Sequence, residues 1–384
     1  MKVGVLGIGI TKFGERWEEG LRELLLDAQL RSLNDAKITP KQIDALYTGN
    51  MIGGMASGQL HVGAMAAENL NLNKPSVRVE GACASGSLAI RGAIQAIESG
   101  SAQIVMASGV EKMTDVSTEQ VTTALMGAGD EELEGFNGLT FPGLYALLAN
   151  AYMKEYGLTR EVLAEVSVKN HFHGARNSYA QFQNEITVDT VINSTMVADP
   201  LTLFDCSPIT DGAASIILAS ESVAKKMGAE VYITASALAT DTLSLARRES
   251  LLELKAGRLA AAEAYKQAGI TAKEVDFAEV HDCFSIAEIY ATEALGFAKQ
   301  GQAAQLYTSK QTYFDGKTPI NTSGGLKACG HPVAATGVKQ AVEAVTQLRG
   351  AGEKRQVKGA EIGLTYNVGG SGATACVHVF KKMK

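Results

Sequence analysis

Four short stretches combine side chains capable of chemistry with glycine. The first is Gly81-Ala82-Cys83-Ala84-Ser85-Gly86, which sets one cysteine among small residues between an extended run, Val77-Arg78-Val79, and a helical pattern from Ser87 to Glu98. A thiol at such a corner lies beside backbone N–H groups and the positive end of a helix dipole. Both lower its pKa and favour the nucleophilic thiolate. A free buried cysteine is more often inert packing, so this corner alone decides nothing. The second stretch, Val280-His281-Asp282-Cys283-Phe284-Ser285, follows an apolar run at Phe277 to Val280, and the carboxyl ends of strands are where α/β folds place ligands. The third, Ser323 to Pro332, ends in His331, held extended ahead of a helix that Pro332 opens. Cysteine facing histidine is the pairing that activates a thiol. The fourth, Asn367-Val368-Gly369-Gly370-Ser371-Gly372, offers mainly backbone N–H groups, which stabilise an oxyanion when they converge.

Other candidates carry less. His171 and His173 fall at i, i+2 on a helical pattern and point apart, so they make no metal pair. His61 and His378 are isolated, Lys327 fits a charge partner for an anion or a solvated side chain, and no metal site is expected. Gly7, Gly9 and Gly14 invite a dinucleotide reading, but Lys12 stands where the third glycine belongs and no helix opens there.

The elements that must position these groups alternate. Val3 to Ile8, Ile43 to Tyr47, Val77 to Val79 and Gln103 to Ser108 read as strands, with helices over Leu21 to Asn34, Ser57 to Leu70 and Ser87 to Ser99 between them. The stretch from about 112 to 205 breaks the rhythm and reads as an inserted loop or cap domain with helices near Leu144 to Tyr156 and Arg160 to Arg176. Strand and helix order then repeats after about residue 229: Val231 to Ala235, Leu251 to Ala268, Phe277 to Val280, Phe284 to Leu295, Val333 to Leu348, Ile362 to Tyr366 and Ala373 to Phe380. An internal duplication follows, with halves 1–228 and 229–384 and an α/β class. The helices after Cys83 and His331 are both lined with alanine and glycine, as suits a layer packed between sheets.

Composition narrows the class. The 384 residues are 46% hydrophobic and 20% charged with a net charge of −6, which gives no electrostatic case for nucleic acid or an anionic membrane. No apolar run approaches bilayer length, Met1 to Gly4 opens a strand rather than a leader, and Lys381 to Lys384 carries no lipidation signal. Five scattered cysteines without a Cys-x-x-Cys point to free thiols and a reducing cytoplasm.

Taken together, the four motifs resemble the thiolases, closest to the sterol-carrier-protein type and the archaeal acetyl-CoA acetyltransferases. The resemblance covers essentially the whole chain. It implies a five-layered αβαβα fold from two duplicated halves with an inserted loop domain. It implies that Cys83 is acylated and that His331 takes its proton. The commoner branch has a further acid/base cysteine where Asn367 stands here, and the branch with His-Asp-Cys-Phe supplies it from that motif, as Cys283. His281 would help build one oxyanion site, directly or through water, and the amides of Cys83 and Gly369 or Gly370 another. Phe284 would lie against the pantetheine. The implied reaction condenses two acetyl-CoA to acetoacetyl-CoA without a cofactor, on a biosynthetic route toward mevalonate. The resemblance also implies a homodimer or homotetramer, and partners of the hydroxymethylglutaryl-CoA synthase and zinc-ribbon/OB kinds. Competing readings are a longer-chain 3-ketoacyl-CoA thiolase, a related condensing synthase, and a non-catalytic scaffold or lipid binder.

Overall fold

The computed structural model describes residues 2–383; Met1 and Lys384, which bound the terminal stretches read above, lie outside it. Nine strands form one mixed sheet: β1 (Val3–Ile10), β2 (Ala45–Gly49), β3 (Ser76–Val79), β4 (Ile104–Glu111), β5 (Gly212–Ser220), β6 (Val231–Thr240), β7 (Phe277–Val280), β8 (Ile362–Gly369) and β9 (Thr374–Lys382), in the order β3-β2-β4-β5-β1-β6-β9-β8-β7. The join is narrow, two residue pairs between β1 and β6 (Val3 with Ile233, Gly4 with Tyr232). Outward from it, β1, β5, β4, β2 and β3 pair twice antiparallel and then twice parallel. On the other side β6, β9, β8, β7 and a bridge at Ile320 follow the same sequence of orientations.

The helices of eight or more residues are α1 (Leu21–Ala36), α2 (Val62–Asn69), α3 (Ser85–Glu98), α4 (Thr118–Met126), α5 (Phe141–Tyr156), α6 (Arg160–Gly174), α7 (Lys255–Ala268), α8 (Ser285–Ala294) and α9 (Thr336–Leu348). α1 and α2 cover the outer face of the first half of the sheet, and α7 covers that of the second. α3 and α9 lie between, and α9 touches strands of both halves. The order across the molecule is therefore α-β-α-β-α.

Glycine decides how closely these layers approach. A side chain at Gly7 or Gly9 of β1 would come 2.3 Å from a carbonyl oxygen of α1, Ser32 or Ala28. The glycines that resemble a nucleotide loop thus serve helix-on-strand packing. In the middle layer a Cβ at Gly86 of α3 or Gly109 of β4 would lie 2.4 or 2.3 Å from the Ala334 carbonyl oxygen, and one at Gly337 of α9 would lie 2.4 Å from the Ser87 amide. The two helix starts meet backbone to backbone, and the small residues seen in the sequence are what permits it. α9 is not apolar all round: buried Lys339 pairs with Glu279, Glu343 with Arg355, and Gln340 donates to the Tyr366 carbonyl. These partners answer the cost of burying its polar residues.

The segment between β4 and β5 belongs to the first half by sequence but packs on the second. Leu144, Tyr145, Leu148 and Tyr152 of α5 and Leu163 and Val166 of α6 share one apolar cluster with Phe284, Ile286, Ile289 and Tyr290. Three expected helices start later than read: the one read from Ser57 begins at Val62, because Gly58 takes a left-handed φ of 65° and breaks the pattern, and those read from Leu251 and from Pro332-Val333 begin at Lys255 and Thr336.

Replacing Gly86 with alanine separates two effects of opposite sign. Helix propensity favours alanine by roughly 0.5–1 kcal/mol. The clash with a backbone oxygen, which no rotamer change relieves, costs about 1–3 kcal/mol. Gly86→Ala should therefore lower the denaturation midpoint, and a raised midpoint would contradict the close approach.

Candidate active site

Cys83 stands in a single 3₁₀ turn, Ala82–Ala84, between β3 and α3. Ala82 has a left-handed φ of 53°, a conformation that costs an L-residue roughly 1–2 kcal/mol. The turn is held by the Ala82 amide donating to Glu80 Oε1 (2.6 Å), the Ser85 hydroxyl donating to the Ala82 carbonyl (2.6 Å) and the Gly81 amide donating to Ser85 Oγ (3.0 Å). Side chain and backbone together over-determine the corner that carries the thiol.

The other groups arrive from three further corners. His281, Asp282, Cys283 and Phe284 link β7 to α8, where Asp282 accepts from the Leu326 amide (2.7 Å) and Asn170 Nδ2 (2.8 Å) and so ties down the loop that leads to His331. The His331 amide donates to Thr210 Oγ1 (3.0 Å), and its Nδ1 lies 2.7 Å from Thr336 Oγ1. Thr336 Oγ1 donates in turn to the Pro332 carbonyl (3.3 Å). That assigns the proton to Nδ1 and leaves the Nε2 lone pair free. Asn367 Nδ2 donates to His281 Nδ1 (3.0 Å), so the His281 proton sits on Nε2, which is buried and without a partner among the described residues.

These corners converge. Cys83 Sγ and one ring nitrogen each of His281 and His331 lie within 4.8 Å of one another, and the two imidazoles meet edge to face with centroids 5.0 Å apart. Cys83, Cys283, Phe284, His331 and Gly370 share the wall of one cavity of about 160 Å³, closed by apolar side chains that include Leu125, Phe141 and Val333. His281 stands beside it, off the lining. Gly370 rather than Gly369 presents its amide to Cys83; Gly369 is packed too tightly on Gly81 to carry a side chain.

Burial sets the protonation of the site. It pushes Cys83 up to about 12, opposed by the Gly370 amide and reinforced by the Glu111 carboxylate. The lowered thiol pKa expected from the helix start is therefore overturned, because the loss of water outweighs the helix dipole and the backbone donors. Burial also raises Cys283, and the nearby Tyr145 hydroxyl opposes the rise. It lowers His281 to about 3 and holds His331 well below the usual range, where His281 and Lys339 push the same way. At rest the set consists of two thiols and two neutral imidazoles.

The sequence reading missed Tyr145, Thr336 and Glu111. The Tyr145 hydroxyl donates to the Gly370 carbonyl (3.1 Å) and reaches Cys283, while its ring stacks on Phe284 at 4.6 Å. Its partner lies 225 residues away, and no local pattern marks it. Thr336 follows His331 by five residues, a spacing that could have been noticed. Glu111 ends a buried strand and accepts from Asn50 Nδ2 and the amides of Met51 and Ile52 at 2.8–3.1 Å; a charge there was a visible signal. Lys327 is buried against the Asp205 carbonyl rather than solvated. His171 and His173 do point apart, to the carbonyls of Asn184 and Asn321.

Known proteins share this chain from end to end. The thiolase N-terminal domain family matches residues 3–222, and the thiolase C-terminal domain-like family matches residues 237–382. An acetyl-CoA acetyltransferase of Methanothermobacter thermautotrophicus is 49% identical over 99% of both chains, and one of Methanocaldococcus jannaschii is 45% identical over 98% of both. Human sterol carrier protein 2 is 36% identical over 97% of this chain and 70% of its own length. Among solved structures, an Ltp2-ChsH2(DUF35) aldolase superposes with a TM-score of 0.85 at 22% identity, covering 99% of this chain and 98% of that one. A monomeric SCP2-thiolase-like protein of Mycobacterium smegmatis superposes at 0.75 and 20%, covering 100% and 78%. At these identities the structural likeness is one of fold.

The buried neutral histidines make the fold sensitive to acid. His281 stays neutral down to about pH 3 in the folded chain, whereas an unfolded histidine takes a proton below about 6.5. Between those values the unfolded state binds more protons, so stability falls as pH falls, by about 2 kcal/mol at pH 5 for this one group. Denaturant unfolding at pH 7.5 and pH 5 should show the loss, and His281→Asn should show less of it. An undiminished loss in that variant would contradict neutral burial of His281.

Proposed function

The chain belongs to the thiolase family and is an acyltransferase; we propose that it carries out the acetyl-CoA acetyltransferase reaction with Cys83 as nucleophile, His331 and Cys283 as acid/base groups and His281 as an oxyanion donor. The observation that carries this reading is the convergence of Cys83, His281 and His331 beside a small cavity whose wall also holds Cys283.

Protonation at rest dictates the order of steps. Cys83 Sγ bonds to the thioester carbonyl carbon of the first acetyl-CoA as its proton passes to His331 Nε2. The carbonyl oxygen gains charge between the amides of Cys83 and Gly370, the kind of preorganised donor pair that stabilises it. The departing CoA sulfur takes the proton of Cys283 and leaves as a thiol. This makes Cys283 a thiolate at the moment a base is needed, and the nearby Tyr145 hydroxyl stabilises it by turning its proton from the Gly370 carbonyl to the sulfur. The Cys283 thiolate then removes a C2 proton from the second acetyl-CoA. The enolate oxygen is stabilised by protonated His331 and by His281 Nε2–H, directly or through water. The enolate carbon attacks the acetyl group, acetoacetyl-CoA forms, and Cys83 recovers its proton from His331. Run backward, the same path is thiolysis.

A cavity of about 160 Å³ with apolar walls is small beside the roughly 300–1,000 Å³ of pockets for larger ligands, which supports short acyl groups over long ones. Phe284 lines that wall, which supports its expected contact with the pantetheine. No cofactor enters these steps. We assign the enzyme to the cytoplasm and to biosynthesis toward mevalonate, as the resemblance of its motifs implies. β3 leaves one edge of the sheet open, with Val77 exposed. An open edge strand is normally covered, which supports a homo-oligomer. A partner of the zinc-ribbon/OB kind and a hydroxymethylglutaryl-CoA synthase are the partners that the resemblance implies; the similar Ltp2-ChsH2(DUF35) aldolase supports a partner chain in general.

Two variants separate the roles. Cys83→Ala should give no acetylated protein by intact mass after exposure to acetyl-CoA, whereas Cys283→Ala should still be acetylated but lose deuterium exchange at C2. Labelled Cys83→Ala, or retained exchange in Cys283→Ala, would refute the assignment. Tyr145→Phe removes the hydroxyl that holds Gly370 and reaches Cys283, so kcat should fall about 10–100-fold with KM little changed. Unchanged kcat would remove Tyr145 from the site.

A further inference from the structure

The convergence of Cys83, His281 and His331 has a second chemical consequence. A zinc-class ion takes thiolate sulfur at about 2.3 Å and imidazole nitrogen at about 2.0–2.1 Å, so tetrahedral ligands stand about 3.3–3.6 Å apart. The three candidate atoms here already lie within 4.8 Å of one another and all three residues are buried, so shifts of about 1 Å, within reach of small side-chain rotations, would close the shell. We propose that Cys83, His281 and His331 form an inhibitory binding site for zinc or a similar borderline-soft divalent cation, with the fourth position open to the cavity.

Three further features favour such an ion. Each histidine has its other nitrogen held, His331 Nδ1 by Thr336 and His281 Nδ1 by Asn367, as metal-bound histidines ordinarily do. Among the described residues His281 Nε2 is buried without a partner, and so is Asn367 Oδ1. Turning the Asn367 amide over lets Oδ1 accept from Nδ1–H and frees the Nε2 lone pair for the metal. The Glu111 carboxylate, close enough to act on Cys83, offsets part of the added positive charge. One thiolate with two imidazoles selects zinc, cobalt or copper over magnesium and calcium. On binding, the Cys83 proton leaves to solvent, the His281 proton moves from Nε2 to Nδ1, and a sulfur–metal bond forms with no change of oxidation state. The bound ion then occupies the sulfur that must attack the thioester.

Cobalt(II) titrated into the full chain tests the site without relying on acyl transfer. The expected result is one ion per chain with a thiolate-to-metal charge-transfer band and tetrahedral visible bands, both removed by zinc. Zinc should inhibit thiolysis reversibly, with relief by a chelator and by excess acyl-CoA. Asn367→Leu should weaken cobalt binding about 10–100-fold. In the unmodified chain, saturating zinc should slow alkylation of Cys83, a readout that needs no variant to fold. A charge-transfer band that is absent, or that survives Cys83→Ser, would overturn the proposal. So would Cys83 alkylation at an unchanged rate under zinc. If acetyl labelling fails while the cobalt spectrum appears, the enzymatic reading falls and the metal site stands.

Discussion

The backbone contact between the first turns of α3 and α9 is the constraint on which the rest depends. Gly86, Gly109 and Gly337 surround the Ala334 carbonyl and the Ser87 amide at distances that leave no room for a side chain. Because the helix starts meet there, the turn before α3 and the loop before α9 are forced together. Those two segments carry Cys83 and His331. The pairing of Cys83 with His331 is thus a consequence of helix packing in the middle layer rather than of any direct bond between the two side chains.

That placement also removes the pair from water, and dehydration then governs the chemistry. The thiols rise, the imidazoles fall, and no ion pair forms in advance. Every charge the reaction needs must be made during the reaction, by proton transfers that balance. On the proposed path Cys283 becomes a base by giving up its proton to the leaving thiol, so acylation would prepare the site for enolate formation. The inserted segment takes part through Tyr145, which touches the Gly370 carbonyl beside Cys83 and the sulfur of Cys283. An insertion in one half that packs on the other makes this link possible.

Much of this was legible in the sequence. The four corners announced themselves by residue type and position, the alternation of elements indicated two α/β units, and the resemblance implied the five layers. What was not legible depended on distance along the chain or on burial. Tyr145 has no local signature, since its partner is a carbonyl 225 residues away. The thiol pKa was misjudged because a helix start is visible in a sequence and the solvent it excludes is not. The α2 start moved because Gly58 adopts a left-handed turn, and Lys327 proved buried because its partner is the carbonyl of Asp205. The glycines of β1 carried the right signal, close approach, for a different neighbour: a helix in place of a phosphate.

The central claim is that burial keeps the nucleophile a thiol until substrate arrives. The direct test is the pH dependence of alkylation of Cys83 by iodoacetamide in the resting enzyme, followed by peptide mass. The thiolate is the reacting form, so the rate should keep rising through about pH 10 with no plateau near neutrality. A plateau below pH 7 would mean a preformed thiolate–imidazolium pair and would contradict the account.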